Sequence, residues 1–114
     1  MIVKHFQEVE PKVSPDSPGV EVRWVLGKPD GAPRFAMRVI EVAPGHATPR
    51  HQHWWEHEVF VLEGEGVVWS RAGERVLRPG VAVYVPGNEE HQFLNTGTGP
   101  LRFICVIPHT ESGS

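Results

Sequence analysis

The feature that most limits what this chain can become is its punctuation. Its 12 glycines and 11 prolines mostly stand between short apolar runs. They form Lys28-Pro29-Asp30-Gly31, Pro44-Gly45, Ala72-Gly73, Pro79-Gly80, Pro86-Gly87 and Gly97-Thr98-Gly99-Pro100. Proline fixes φ and removes a backbone donor, while glycine supplies left-handed turn positions, so such clusters end strands and build turns. No stretch keeps a helical period over three turns. Many short strands with evenly spaced turns predict an all-β sandwich or barrel. A length of 114 residues fits a single domain, whose core a partner would help to complete.

The runs between the turns are the expected strands. Val20–Leu26 alternates apolar and polar residues. In Phe35–Val42, Ala36, Arg38, Ile40 and Val42 share one face and Phe35, Met37, Val39 and Glu41 the other. Each face carries one charge, so alternation leaves open whether Arg38 points outward or lines a polar pocket. Further strands are expected at His57–Glu63, at 67–71 and 74–78 as a hairpin, and at 81–85, 91–95 and 101–107. Residues 2–9 read as a short strand. Residues 11–19, with Pro11, Pro15 and Pro18, read as irregular. The division expected is an N-terminal arm at 1–19, a barrel domain at 20–108 and a flexible polar tail at 109–114.

Composition removes several classes of function. The net charge is −3 with histidines neutral, and no basic run offers a footprint for nucleic acid. No apolar run approaches the length of a membrane span, and the N-terminus lacks the apolar centre of a signal peptide; the expectation is a cytoplasmic protein off the membrane. A single cysteine, Cys105, excludes an internal disulfide framework and a cysteine-based zinc cluster.

Histidine carries the chemistry. His51, His53 and His57 fall within seven residues, and His91 follows in a second Gly-led segment. In extended chain, residues i and i+2 project to one face, so His51 and His53 can grip the same ion. After the short loop Trp54-Trp55-Glu56 a third ligand can come from His57 or Glu58, which are adjacent and therefore face opposite ways. Val59 and Val61 go with His57, Phe60 and Leu62 with Glu58. Both sets are apolar, so parity leaves the choice open and predicts that both faces are covered. His5, His46 and His109 are isolated and read as surface residues.

At these residues the chain resembles the cupin superfamily. The first cupin motif, G(X)5HXH(X)3–4E(X)6G, is matched by Gly45, His51, His53, His57 and Gly64. His57 stands where the glutamate usually does; taking Glu58 as the ligand would break the spacing to Gly64. The second, G(X)5PXG(X)2H(X)3N, is matched by Gly80, Pro86, His91 and Asn95, with Asn88 in place of a glycine. Asparagine tolerates the left-handed turn geometry such a position needs. The resemblance implies a cupin-type double-stranded β-helix, a jelly-roll barrel, with one divalent transition metal inside on His51, His53, His57 and His91. Four neutral histidines leave the site at about +2, against about +1 when one ligand is a carboxylate. That charge suits an anionic small-molecule ligand, and the donor set does not choose among Mn, Fe, Ni, Cu and Zn.

The resemblance further implies a homodimer, often with the N-terminal segment lying on the partner. Arg38, Trp55, Phe103 and Cys105 are the candidates for the pocket lining. Cys105 reads as a small buried hydrophobe, with ligation the lesser alternative. Glu56 and Glu58 are candidate acceptors for the outer N–H groups of the histidines. The leading expectation of function is a metal-dependent oxidoreductase, a dioxygenase acting on a small organic molecule. The rivals are a non-enzymatic or sensory binding module and a metal-dependent isomerase or lyase.

Overall fold

Each apolar run between turns becomes a strand. The computed structural model describes residues 1–110. Its strands are β1 (Lys12–Val13), β2 (Val20–Leu26), β3 (Phe35–Val42), β4 (His57–Glu63), β5 (Gly66–Ser70), β6 (Gly73–Leu77), β7 (Ala82–Val85), β8 (Gln92–Asn95) and β9 (Leu101–Pro108). The larger sheet runs β1-β2-β3-β9-β4-β7 and the smaller β6-β5-β8. All pairings are antiparallel. The last strand lies between β3 and β4, which gives the jelly-roll connectivity expected. Among the described residues no helix is long and apolar enough to cross a membrane.

The core sits between the sheets. On β9 Leu101, Phe103, Cys105 and Ile107 turn inward, and Arg102, Ile104 and Val106 turn out. Val42, Val61, Leu77, Leu101 and Phe103 are fully buried, and each large apolar side chain contributes about 1.5–3 kcal/mol on leaving water. The Phe93 and Phe103 rings meet at 4.9 Å. On β4 the burial alternates strictly: His57, Val59 and Val61 are buried, whereas Phe60 and Leu62 are 46% and 42% exposed. The expectation that both faces are covered is therefore corrected for this single chain. The inner face meets the core and the outer face is open.

The N-terminal arm also differs from the sequence reading. Phe6–Glu8 is a short 3-10 turn, not part of a strand. The Glu8 carboxylate accepts the His5 backbone N–H at 3.1 Å, and His5 Nδ1 accepts the Gln7 N–H at 3.1 Å. These local bonds outcompete extension. The turn drops Phe6 between the guanidinium groups of Arg23 and Arg102, at 5.6 and 5.3 Å from its ring. The segment read as irregular contains β1, which pairs with β2 through Lys12↔Val22 and Val13↔Glu21. Pro11 and Pro15 flank this strand at the sheet edge, where their missing donors break no ladder.

At the other end, the His109 N–H donates to the Arg34 carbonyl at 3.2 Å and Thr110 is buried. Docking thus continues two residues past the boundary read at 108, and residues 111–114 of the expected tail lie outside those described.

Asn95 shows why the second motif ends in asparagine. Its side-chain NH2 donates to the Val42 carbonyl at 2.8 Å and the Gly99 carbonyl at 2.9 Å, and its oxygen accepts the Gly97 N–H at 2.8 Å. It ties β8 to β3 and builds the turn into β9. Asn95→Ala strands these partners, so a loss of about 2–3 kcal/mol is expected. Urea unfolding with an unchanged m-value is the check; a loss under about 1 kcal/mol would deny the residue this role.

Candidate metal centre

Backbone pairing brings the histidines together. His51 and His91 form an isolated antiparallel bridge: His51 N–H donates to His91 O at 3.2 Å, and His91 N–H to His51 O at 3.0 Å. His53, two residues on in extended chain, adds its ring 5.0 Å from that of His51 and 5.1 Å from that of His91. One ligand atom from each of His51, His53 and His91 lies within 4.8 Å of the other two. His57 opens β4 and pairs with Val85 of β7. Its Nε2 is 2.8 Å from His53 Nε2, and its ring centre is 5.2 Å from that of His91. The mutual group is thus His51, His53 and His91, with His57 joined to it through His53.

The outer nitrogens explain how the rings are aimed. His53 Nδ1 is 2.9 Å from the Trp55 carbonyl, and His91 Nδ1 is 2.8 Å from the Glu89 carbonyl. A carbonyl only accepts, so both Nδ1 atoms carry the proton and both Nε2 atoms keep a lone pair that an ion can use, that of His53 now facing His57 Nε2 at 2.8 Å. The sequence reading gave this acceptor role to Glu56 and Glu58. Glu56 instead takes the Tyr84 hydroxyl at 2.7 Å, and Glu58 is exposed on the outer face of β4. The acceptors are backbone groups, which no side-chain pattern could have announced. Trp55 also stacks flat on His53, with ring centres 4.0 Å apart and planes 3° from parallel.

Behind His57 stands Cys105. Its Sγ is 2.9 Å from His57 Nδ1 and accepts the Arg38 Nη2–H at 3.0 Å. The sulfur thus lies on the far side of the His57 ring from Nε2 and supports that ring. The question left open about Arg38 is answered: it points inward. Arg38, Trp55, Phe103 and Cys105 all line a cavity of about 340 Å³ whose wall includes His51, His53, His57 and His91. Trp24, Ile40 and Phe93 belong to its apolar side. Sequence reasoning missed Lys12, Ser14 and Ser17 at the same cavity, because the proline-rich arm gave no sign of folding over the barrel.

The donor chemistry fits a divalent transition metal. Burial, then the neighbouring His91, His53 and Arg38 charges, lower the His51 pKa to about 4. Burial, then Arg38 and the other histidines, lower that of His57 to about 3. Desolvation also lowers that of His53. Neutral imidazoles at physiological pH are the form that binds a metal. The shift has a consequence for the metal-free protein. With folded values below the ordinary 6.5, the unfolded chain binds more protons between about pH 6.5 and 4. Stability therefore falls as pH drops through that window. Each histidine adds at most about 1.4 kcal/mol per pH unit, and less for the rim residue His51, which solvent screens. Urea midpoints at pH 7.5, 6 and 5 should decline in order; a flat series contradicts the burial of the His57 ring.

A small β-barrel with inward imidazoles on one wall of an apolar cavity defines the class. Residues 38–107 match the cupin domain model, and the chain belongs to the cupin family. It is 35% identical to L-ectoine synthase of Bordetella parapertussis, over 94% of this chain and 82% of that protein. It is 38% identical to the dimethylsulfoniopropionate lyase DddW of Ruegeria pomeroyi, over 73% of this chain but only 56% of that protein. The chain thus spans a little over half of that relative. Among solved structures, the polyketide cyclase RemF of Streptomyces resistomycificus superposes with a TM-score of 0.90 at 32% identity, over 99% of this chain and 82% of that one.

Proposed function

We propose that this chain is a metal-dependent enzyme of the cyclase or lyase kind, acting on a small, largely apolar carbonyl compound. One divalent transition metal would be held by His51, His53, His57 and His91. The observation that carries this reading is the cavity: imidazoles form one wall, the rest is mainly aromatic and aliphatic with Arg38, Lys12, Cys105 and three hydroxyl residues among them, and among the described residues no carboxylate lines it. The likeness to a cyclase, a synthase and a lyase supports it.

A bound divalent ion supplies Lewis-acid polarisation of a carbonyl oxygen. The chain's own residues do the rest. Trp24, Phe93 and Phe103 offer apolar surface against which a planar substrate packs and which excludes water. Trp55 holds His53 flat, and the Trp55 and Glu89 carbonyls keep Nε2 of His53 and His91 unprotonated.

The dioxygenase expected from the sequence is the second reading. The all-imidazole donor set favours it, because imidazole suits Fe and Cu. In that reading the Cys105 thiol, 2.9 Å from His57, stands within reach of activated oxygen. The two readings, and a binding module without catalysis, separate in one experiment. Protein purified without added metal is analysed for its ion, then assayed with phenolics, diketones and keto acids with and without oxygen. Turnover that is independent of oxygen is expected. Stoichiometric oxygen uptake, or no turnover with any metal, overturns the proposal. The homodimer expected from the sequence belongs to the same reading, with Phe60, Leu62 and Tyr84 exposed on the outer face of β4 and β7; sedimentation at a single mass of one chain would exclude it.

A further inference from the structure

We infer that Arg38 is the anchoring cation of the cavity, the group that receives an anionic oxygen, carboxylate or enolate, of the compound facing the histidines. This deepens the cyclase or lyase reading and rests on it for what happens at the histidine wall. The placement comes from register. In the larger sheet Arg38 of β3 lies opposite Trp24 of β2 and Cys105 of β9. The indole ring centre is 5.2 Å from the guanidinium carbon on one side, and the sulfur is 3.0 Å from Nη2 on the other.

What this row lacks is a counter-ion. A guanidinium has five N–H donors, and among the described residues the acceptor found for Arg38 is the Cys105 sulfur, a weak one. Nε is sealed from solvent without a partner. Other arginines are treated differently: Arg102 meets Glu41 and Glu63 at 2.8 and 2.6 Å, and Arg71 meets Glu90 at 3.0 Å. No salt bridge is recorded for Arg38 among the described residues, and no Asp or Glu lines its cavity. Arg38 is half-buried, and holding its Nε N–H away from water without an acceptor is costly. A ligand oxygen that completes the pair offsets that cost and gains charge-assisted hydrogen bonds. Lys12, exposed but part of the same lining, adds a positive charge that solvent screens, so the attraction for an anion rests chiefly on Arg38. With its anionic oxygen on Arg38 and its apolar body against Trp24 and Phe103, a substrate would be presented to the histidines in one orientation.

The test uses 2-naphthoate and its uncharged analogue 2-naphthamide in titration calorimetry, on metal-loaded and metal-free protein. Wild type should bind the carboxylate at least about tenfold more tightly than the amide, the range expected of a hydrogen bond to a charged group. Arg38→Met and Arg38→Gln, each verified as folded by circular dichroism, should lose that preference in the metal-free protein. Either variant alone suffices if the other fails to fold. In the metal-free protein, where no ion can attract the carboxylate, equal binding of the two probes by wild type, binding of neither, or a preference retained in a folded variant overturns the inference. The metal-free arm keeps this separate from the functional reading. A carboxylate preference in the metal-free arm supports Arg38 whatever the outcome at the histidines, whereas failure to take up any metal refutes the metal-dependent enzyme and leaves that preference standing.

Discussion

Replacing His91 by alanine is expected to cut bound metal from about one ion per chain to under about a tenth while the barrel stays folded. The geometry gives the reason. His91 is 2% exposed, its Nδ1 proton is fixed by the Glu89 carbonyl, and its backbone forms the bridge that places His51. Alanine keeps that bridge and removes one imidazole from the cavity wall. His53→Ala should behave alike. Glu58→Gln should change nothing, because Glu58 stands on the exposed outer face of β4. The informative variant is His57→Ala. Loss of metal there supports a four-histidine site, whereas full occupancy limits the site to the group of His51, His53 and His91. Metal analysis after dialysis decides, and full occupancy in His53→Ala or His91→Ala would remove the ligand assignment altogether.

The second large effect is structural. Gly64 ends β4 with φ at +91°, and a Cβ there would stand 2.8 Å from Leu101 Cα and closer still to the Pro100 carbonyl oxygen. Both neighbours are backbone at the start of β9, the strand between β3 and β4. A side chain cannot rotate out of the way of such a contact. Gly64→Ala combines an unfavourable left-handed backbone with a collision, so a loss of about 3 kcal/mol or more is expected. For a domain of this size that lowers the Tm by roughly ten degrees or more. Gly31→Ala is the matched control. Gly31 has φ +83° but nothing within 4 Å of its Cβ, so it isolates the backbone term at about 1 kcal/mol. Equal losses in the two variants would show that the close approach to β9 contributes nothing.

Much of this architecture was legible because its cause is local. Turn chemistry marks strand ends, so Val20–Leu26, Phe35–Val42 and His57–Glu63 fall where the sequence reading put them. Side chains alternate, so the inward row of β9 could be assigned from Arg102 alone. Other features depend on distant partners. The direction of Arg38 rests on Trp24 and Cys105 across two strand pairings, and neither face of its own strand reveals it. Lys12 reaches the cavity because two residues of a proline-rich arm find the free edge of β2. Phe6 turns under Arg23 and Arg102 because His5 and Glu8 close a local ring of hydrogen bonds, a preference that hydrophobic periodicity does not register. The histidine spacing was visible, but the carbonyls of Trp55 and Glu89 that aim two of the rings carry no residue signature.

The flat stack of Trp55 on His53, with ring centres 4.0 Å apart, gives the site a built-in optical reporter. An indole in van der Waals contact with a ligand ring feels the electronic state of whatever ion that ring binds. A closed-shell d10 ion such as Zn²⁺ has no low-lying d–d states to accept excitation, so Trp55 emission should survive loading. An open-shell ion such as Cu²⁺ or Ni²⁺ should darken it. Steady-state emission of a variant that keeps Trp55 as its single tryptophan, with Trp24, Trp54 and Trp69 replaced by phenylalanine, read before and after chelation, would then sort the native metal into one of two electronic classes ahead of any knowledge of the substrate.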